Sequence, residues 1–314
     1  MIGLEHLEKS ELTIAVDLLV DGLYQLARAG GMSAEEADGA VAATLAYVRR
    51  RLTGSVEVDE FGFDADFTEH VYLTVLRPLY RIWFRAEVFG AENLPTEGGA
   101  LVVANHAGTV AIDALMTQVA VHDALPEKRY LRLLGADLVF RAPFVGEIAR
   151  RGGATMASRD DAQRLLEAGE LVGVWPEGYK GVGKGFSERY RLQRFGRGGF
   201  VASALRAQVP IIPCSIVGSE EAYPMLADIE PLAKLMRLPY FPVTPLFPHF
   251  GLLGLVPLPS KWMFCFGEPI QPEGGPDAAV DNPVRVYELT EHVRGVIQMQ
   301  LYDLLEKRGS AFAR

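Results

Sequence analysis

Apolar residues recur at helical spacing over 4–28 (Leu12, Ile14, Ala15, Leu18, Leu19, Leu23), and Gly30-Gly31 ends that run. Ser33 with Glu36 forms a capping box that predicts a second helix reaching about Leu52. Residues 53–66 are polar and Gly-punctuated and read as a linker. Residues 67–85 return to an amphipathic, aromatic pattern, with Tyr72, Leu76, Tyr80 and Trp83 among Arg77, Arg81 and Arg85; Pro78 is expected to kink that helix. From about residue 86 the period changes. Short β-branched runs at 100–104, 130–134, 154–157, 171–175 and 210–217 alternate with helical runs at 109–121, 143–151, 159–168 and 195–207. A last strand at 262–266 precedes a helix over 284–307. Alternation of this kind predicts an α/β fold: a mainly parallel central sheet flanked by helices. Residues 1–85 are expected to form a helical N-terminal extension, and 86–314 the α/β domain.

Composition narrows the class. The chain has 314 residues, 49% hydrophobic and 23% charged, which excludes wholesale disorder and fibrous repeats. The formal charge of −9 argues against a nucleic-acid partner, which needs a basic surface. Cys214 and Cys265 are the only cysteines and sit in apolar runs, so neither a zinc site nor a disulfide scaffold is expected. The N-terminus lacks the basic-then-apolar order of a signal peptide. The expectation is a reduced, cytoplasmic protein with no metal.

Chemistry concentrates at strand ends. The run LVVA at 101–104 leads into Asn105-His106 and then Gly108, Thr109 and Asp113. Reacting groups in open α/β sheets gather past the carboxyl ends of strands. On one continuous helix, His106 and Asp113 would stand about 10.5 Å apart. Their pairing therefore requires a loop at 106–108, with Thr109 capping the next helix. A carboxylate on one imidazole nitrogen leaves the other free as a base. The second cluster, Trp175-Pro176-Glu177-Gly178, brackets Glu177 in a turn at another strand end. In the third, Gly153 is followed at a helix start by Arg159, whose fork suits a phosphate unless Asp160 or Asp161 ties it up. The run from Gly178 to Gly185 approaches GxxxxGK[ST], but Gly185 offers no hydroxyl, which speaks against a nucleotide hydrolase. No GxSxG is present.

Together these blocks resemble the glycerolipid acyltransferase superfamily, which includes the lysophosphatidic acid acyltransferases. Asn105-His106 to Asp113 resembles its His/Asp block, Gly153 to Arg159 its second block, Trp175 to Gly178 its Phe-Pro-Glu-Gly block, and Val209 to Pro213 its Val-Pro-Ile-Ile-Pro strand. The likeness spans roughly 85–270. Six residues separate His106 from Asp113 where the family has four, which looks like a divergent branch akin to acyltransferases of neutral glycerides or unusual acceptors. The resemblance implies acyl transfer from an acyl-CoA or acyl-carrier-protein thioester to a hydroxyl of a glycerolipid, lysophosphatidic acid-like, or of a related lipid. His106 would be the base and Asp113 its orienting partner. Asn105, Gly108, Thr109, Glu177 and Gly178 would shape the acceptor site, and Arg159 would hold acceptor phosphate. No cofactor beyond the thioester co-substrate is implied. A non-catalytic lipid binder and a thioesterase or lipid hydrolase remain open readings.

Two further segments suit a lipid enzyme. Lys180, Lys184, Arg189, Arg191 and Arg194 make 179–199 a basic stretch in an acidic chain, and a patch there would steer the donor's phosphates. Residues 238–260 lack Asp, Glu, Lys and Arg, and carry Pro239, Pro242, Pro245 and Pro248 at a three-residue period. Phe241, Phe247 and Phe250 there are candidate membrane contacts. They point to peripheral attachment at the inner face of a membrane, or else to a cover over an acyl pocket.

Overall fold

The computed structural model describes residues 24, 33–53, 57–272 and 282–312. The first expected helix, 4–28, lies outside the described residues apart from position 24. Helix α1 spans Ala34–Thr53. Helix α2 runs through residues 65–83, with wide π-type turns at Thr68–Tyr72 and Leu79–Trp83 and Pro78 held between them. Residues 57–64, read as linker, lie against other elements. The Arg132 guanidinium sits 4.5 Å from the Phe63 ring centroid and pairs with Asp59 at 2.7 Å and Glu170 at 3.1 Å. Buried Asp64 caps α2 by accepting from the Phe67 amide at 2.8 Å, and also takes Arg51 and Arg151.

The body is a seven-stranded sheet. Its strands are β1 (Glu87–Phe89), β2 (Ala100–Ala104), β3 (Leu131–Gly135), β4 (Ala154–Met156), β5 (Leu171–Val174), β6 (Ile211–Val217) and β9 (Met263–Phe266). The spatial order is β1-β9-β6-β2-β5-β3-β4. Strands β6, β2, β5, β3 and β4 are mutually parallel; β9 runs antiparallel to β6 and carries β1 in parallel beside it. A small ladder joins β7 (Ala227–Asp228) to β8 (Pro242–Val243).

The central strands β2 and β6 are buried on both faces, as a parallel sheet requires. On β2, Ala100, Val102 and Ala104 face one core with α2 and helix α3 (Ile112–Ala124), through Leu73, Tyr80, Met116 and Val119. Leu101 and Val103 face the other. Helices α4 (Asp137–Arg141) and α5 (Val145–Arg151) lie between β3 and β4 in the chain. The second core is closed by α6 (Arg159–Glu167), α8 (Gly199–Ala207) and α11 (Pro283–Arg308), with Leu165, Phe200, Ile297 and Leu301 turned inward. Short turns α7 (Tyr179–Val182), α9 (Ser219–Ala222) and α10 (Glu230–Met236) decorate the carboxyl-end loops. Two boundaries differ from expectation. Residues 143–151 lie within a helix pair, and β1, only three residues long, escaped the strand signal.

Candidate active site

His106 stands two residues beyond β2, in a loop. Asn105 is not turned toward ligand: its amide donates to Ile216 O at 3.0 Å and accepts from Ile216 N at 2.7 Å, stapling β2 to β6. Gly108 holds φ +77, and a Cβ there would meet Ser219 O at 2.6 Å, so only glycine lets the loop turn against α9. Thr109 is not the helix cap either. Its hydroxyl donates to Tyr223 O at 2.8 Å, and α3 begins three residues later, beyond Ala111. That delay absorbs the two extra residues and sets Asp113 at the second position of α3.

The result is the pairing that the spacing required. Asp113, wholly buried, places Oδ2 2.8 Å from His106 Nδ1 and accepts from the Ala107 amide at 3.0 Å through the same oxygen. Its Oδ1 accepts from Ala114 N at 2.9 Å. With Nδ1 donating to Asp113, His106 Nε2 is left as the basic nitrogen. No partner occupies it among the described residues, and the side chain keeps 13% of its surface open. The Trp175 ring lies tilted beside the imidazole, centroids 6.0 Å apart.

Glu177 is buried beneath this pair. Oε1 accepts from the His106 amide at 2.8 Å and Oε2 from the Gln193 amide at 2.6 Å. Burial pushes its carboxyl upward in pKa, against the pull of nearby Lys184. Glu177 thus fixes the backbone that carries the histidine. Gly178, at φ +55, turns the chain into α7, where Gly181 packs on His106: a Cβ there would sit 2.5 Å from His106 O.

Lys184 corrects the donor-patch expectation. It is buried, 2.8 Å from Glu220 Oε1 and 3.9 Å from Glu177 Oε2, and it donates to Arg191 O at 3.3 Å. Burial raises the Glu220 pKa to about 7, with Lys184 opposing. The glycine-rich run that approaches a phosphate loop is therefore explained by packing: glycine at 181 clears the His106 backbone, and Lys184 turns inward to two carboxylates. Arg189 stacks on the Phe186 ring at 4.6 Å, and Arg191 and Lys180 are exposed. Arg194 and Arg159 come together in a cleft away from these residues. Arg159 makes no ion pair with Asp160 or Asp161; the Ser158 hydroxyl caps α6 by accepting from the Asp161 amide at 3.0 Å.

Sequence reasoning missed several contributors. Tyr240 donates to Thr109 O at 2.7 Å, bracing the loop after His106 from the proline-spaced segment. Glu220, Gly181 and Tyr240 belong to no block, and only the glycine spacing hinted at one of them. Of the three expected membrane aromatics, Phe241 and Phe247 are half-buried and pack together with centroids 5.5 Å apart. Phe250 is 62% exposed and is joined by Leu253, Leu255 and Val256. The nearby Trp83 of α2 is also exposed and donates to Pro257 O at 3.0 Å. Among the described residues, no helix is long and apolar enough to cross a membrane.

Comparison with known proteins agrees with this geometry. The Acyltransferase family model matches residues 85–217, which hold His106, Asp113, Arg159 and Glu177. An uncharacterized protein of Mycobacterium tuberculosis is 57% identical over 272 residues, 87% of this chain and 76% of that one. A Bos taurus protein named DGAT1/2-independent enzyme synthesizing storage lipids is 26% identical over 219 residues, 69% of this chain and 59% of that one. The crystal structure of the 1-acyl-sn-glycerophosphate (LPA) acyltransferase PlsC from Thermotoga maritima shares the fold. Its TM-score is 0.50 at 18% identity, covering 91% of this chain and 96% of that one. The chain belongs to the glycerolipid acyltransferase superfamily.

Proposed function

We propose that the protein transfers a fatty acyl group from a thioester donor to the hydroxyl of a lipid acceptor, with His106 as general base. The observation that carries this reading is the 2.8 Å His106–Asp113 pair with Nε2 unoccupied at the carboxyl edge of β2. Nε2 takes the acceptor's hydroxyl proton as that oxygen attacks the thioester carbonyl. The tetrahedral adduct collapses, the C–S bond breaks, and the thiolate recovers the proton from the imidazolium. No acyl-enzyme is formed. Asp113 stabilises the imidazolium, and Glu177 keeps the His106 backbone in place. The buried pair argues against a binder that merely retains the fold.

The likeness to a relative named for storage-lipid synthesis favours a neutral glyceride as acceptor over a phosphorylated one. An acyl-CoA or a carrier protein supplies the acyl group. The exposed apolar rim at Phe250, Leu253, Leu255, Val256 and Trp83 meets the inner face of a membrane peripherally, since lipid acceptors reside there. Incubating the enzyme with labelled acyl thioester and a panel of neutral and lyso acceptors tests the assignment. Acylated lipid is expected with the wild type and is lost by about 10²–10⁴-fold with His106→Ala. Free fatty acid formed equally with and without acceptor would instead make the protein a hydrolase.

A further inference from the structure

The chain holds three tryptophans, and two of their indole N–H groups have acceptors. Trp83 donates to Pro257 O at 3.0 Å and Trp262 to the Ser260 hydroxyl at 3.1 Å. Trp175 differs. It is only 8% exposed, and its Nε1 meets no acceptor among the described residues. A buried donor left unpaired costs about 1–3 kcal/mol. Phenylalanine, which stands at this place in the Phe-Pro-Glu-Gly block, would fill the same apolar core without that cost. Stability therefore does not account for an indole at 175; a ligand that supplies the acceptor does.

The setting of the ring says from where that acceptor comes. Val103 pairs with Val174, so Ala104 and Trp175 close β2 and β5 side by side. Both face the core shared with α3, the helix that carries Asp113. The Trp175 carbonyl accepts from the Gly178 amide at 3.0 Å, which fixes the turn from which the indole projects. One edge of the ring lies back over β5: a Cβ at Gly173 would stand 3.1 Å from Cζ3. Nε1 is bonded to the ring carbon opposite Cζ3, so the N–H points away from the strand interior, toward the carboxyl edge of the sheet. The His106 imidazole lies beside it, with centroids 6.0 Å apart and planes inclined at 45°. Asp113 takes Nδ1 of His106. His106 Nε2 and the indole N–H both keep hydrogen-bonding capacity there, one as acceptor and the other as donor.

We propose that the Trp175 indole N–H is a catalytic hydrogen-bond donor to the carbonyl oxygen of the acyl group in transfer, a role that rests on the acyltransferase reading. As the acceptor oxygen bonds to the carbonyl carbon, the C=O π pair moves onto oxygen. The N–H donates to that oxyanion and keeps its proton. When the C=O bond re-forms, the thiolate leaves and takes the proton held on His106. A donor buried beside the base acts in a medium of low dielectric and needs no reorganisation, so it favours the adduct over the ground state.

Two measurements on the full chain test this, one with turnover and one without. Trp175→Phe keeps a ring and loses the donor. It is expected to lower kcat about 10²-fold with KM within a few-fold, because the donor acts on the adduct alone. Trp175→Leu is expected to be as slow as Trp175→Phe. The second measurement follows the indole N–H resonances of the isotope-labelled wild type by NMR, with that of Trp175 identified by its loss in the Phe variant. Titration with a long-chain alkylphosphonate monoester, an anionic tetrahedral mimic of the adduct, is expected to move the Trp175 resonance downfield. An alcohol of equal chain length, lacking an anionic oxygen, is expected to move it less. A Phe variant with wild-type kcat, or a Trp175 resonance that ignores the phosphonate monoester, overturns the proposal and leaves the acyltransferase reading standing. A wild type that acylates no acceptor removes that reading and the catalytic role with it, even where the resonance shift marks the indole as a donor.

Discussion

Helix α3 carries a histidine–carboxylate cluster at each end, and only the first opens at the sheet's carboxyl edge. At the N-terminal end, Asp113 meets His106 through Nδ1 alone, and Nε2 looks out of a loop at the sheet's carboxyl edge. At the C-terminal end, His122 is 1% exposed and sits among charged side chains. Nε2 lies 2.9 Å from Glu69, and Nδ1 lies 3.5 Å from Asp123 and 3.2 Å from Arg77. Glu69 and Arg77 belong to α2, so His122 fastens that helix to α3. Arg81 adds a further pair to Asp123 at 2.6 Å. A base needs a free nitrogen and a route for substrate; a fastener needs neither. Charge partners are more numerous around the buried histidine.

Replacing each histidine by alanine tests that division with the largest effect. His106→Ala is expected to lower acyl transfer by about 10²–10⁴-fold with an unchanged melting temperature. His122→Ala is expected to keep transfer within a few-fold and to melt earlier, because Glu69 and Asp123 then lack the partner between them. A His122 variant as inactive as the His106 variant would erase the contrast.

Beneath His106 lies a second buried arrangement, Glu177–Lys184–Glu220, whose role is support. Lys184→Met leaves two carboxylates in a desolvated pocket without their cation. Removing one member of a buried ion pair costs about 3–5 kcal/mol, measurable by urea unfolding. The double variant Lys184→Met with Glu220→Gln is expected to recover much of that loss. Equal instability of the single and double variants would mean that lost packing, not stranded charge, is responsible.

The sheet was legible because burial on both faces leaves uninterrupted apolar runs; Leu101–Ala104 and Ile211–Val217 are read directly. The His106–Asp113 pair was legible because its separation is impossible on a helix and so implied a loop. Four things were hidden. The start of α3 is set by Thr109 bonding to Tyr223 across 114 positions, which no local signal encodes. Lys184 looked like a surface charge because its partner Glu220 is distant in the chain. His122 gives no local sign of its role because its first carboxylate, Glu69, sits on another helix. Strand β1 is too short to carry a period, and its place depends on β9.

The apolar rim contrasts with both charged clusters, since its exposed side chains are apolar. Phe250 and Leu253 are 62% and 71% exposed. Each apolar side chain fully buried in lipid contributes about 1.5–3 kcal/mol, so replacing both by serine is expected to abolish liposome flotation. The wild type is expected to float equally at low and high salt, because apolar burial is not screened. Flotation that persists in the double variant moves the contact to another surface, and a wild type that never floats removes membrane attachment.

The smallest effect concerns the His122 fastener and pH. Glu69 beside His122 has its carboxyl pKa lowered from 4.5 to about 2. Its contribution is present above pH 4.5 and is lost as pH falls through 2. For His122, burial lowers the pKa, but Asp123 and Glu69 outweigh it and raise the value above 6.5. That contribution is complete below pH 6.5 and fades as pH rises through the raised value. The fastener is therefore fullest between about pH 4.5 and 6.5. Glu69 is about a third exposed, so water screens the pair and the effect is about 0.2–1 kcal/mol. Glu69→Gln is expected to flatten the melting profile on the acid side and to draw the alkaline fall to lower pH. His106 pairs with Asp113 and not with Glu69, so the same substitution should leave the pH dependence of acyl transfer unmoved. If the melting profiles of wild type and Glu69→Gln superimpose from pH 2 to 8, His122 is a packed ring rather than a charged fastener, and the two ends of α3 differ less than their partners suggest.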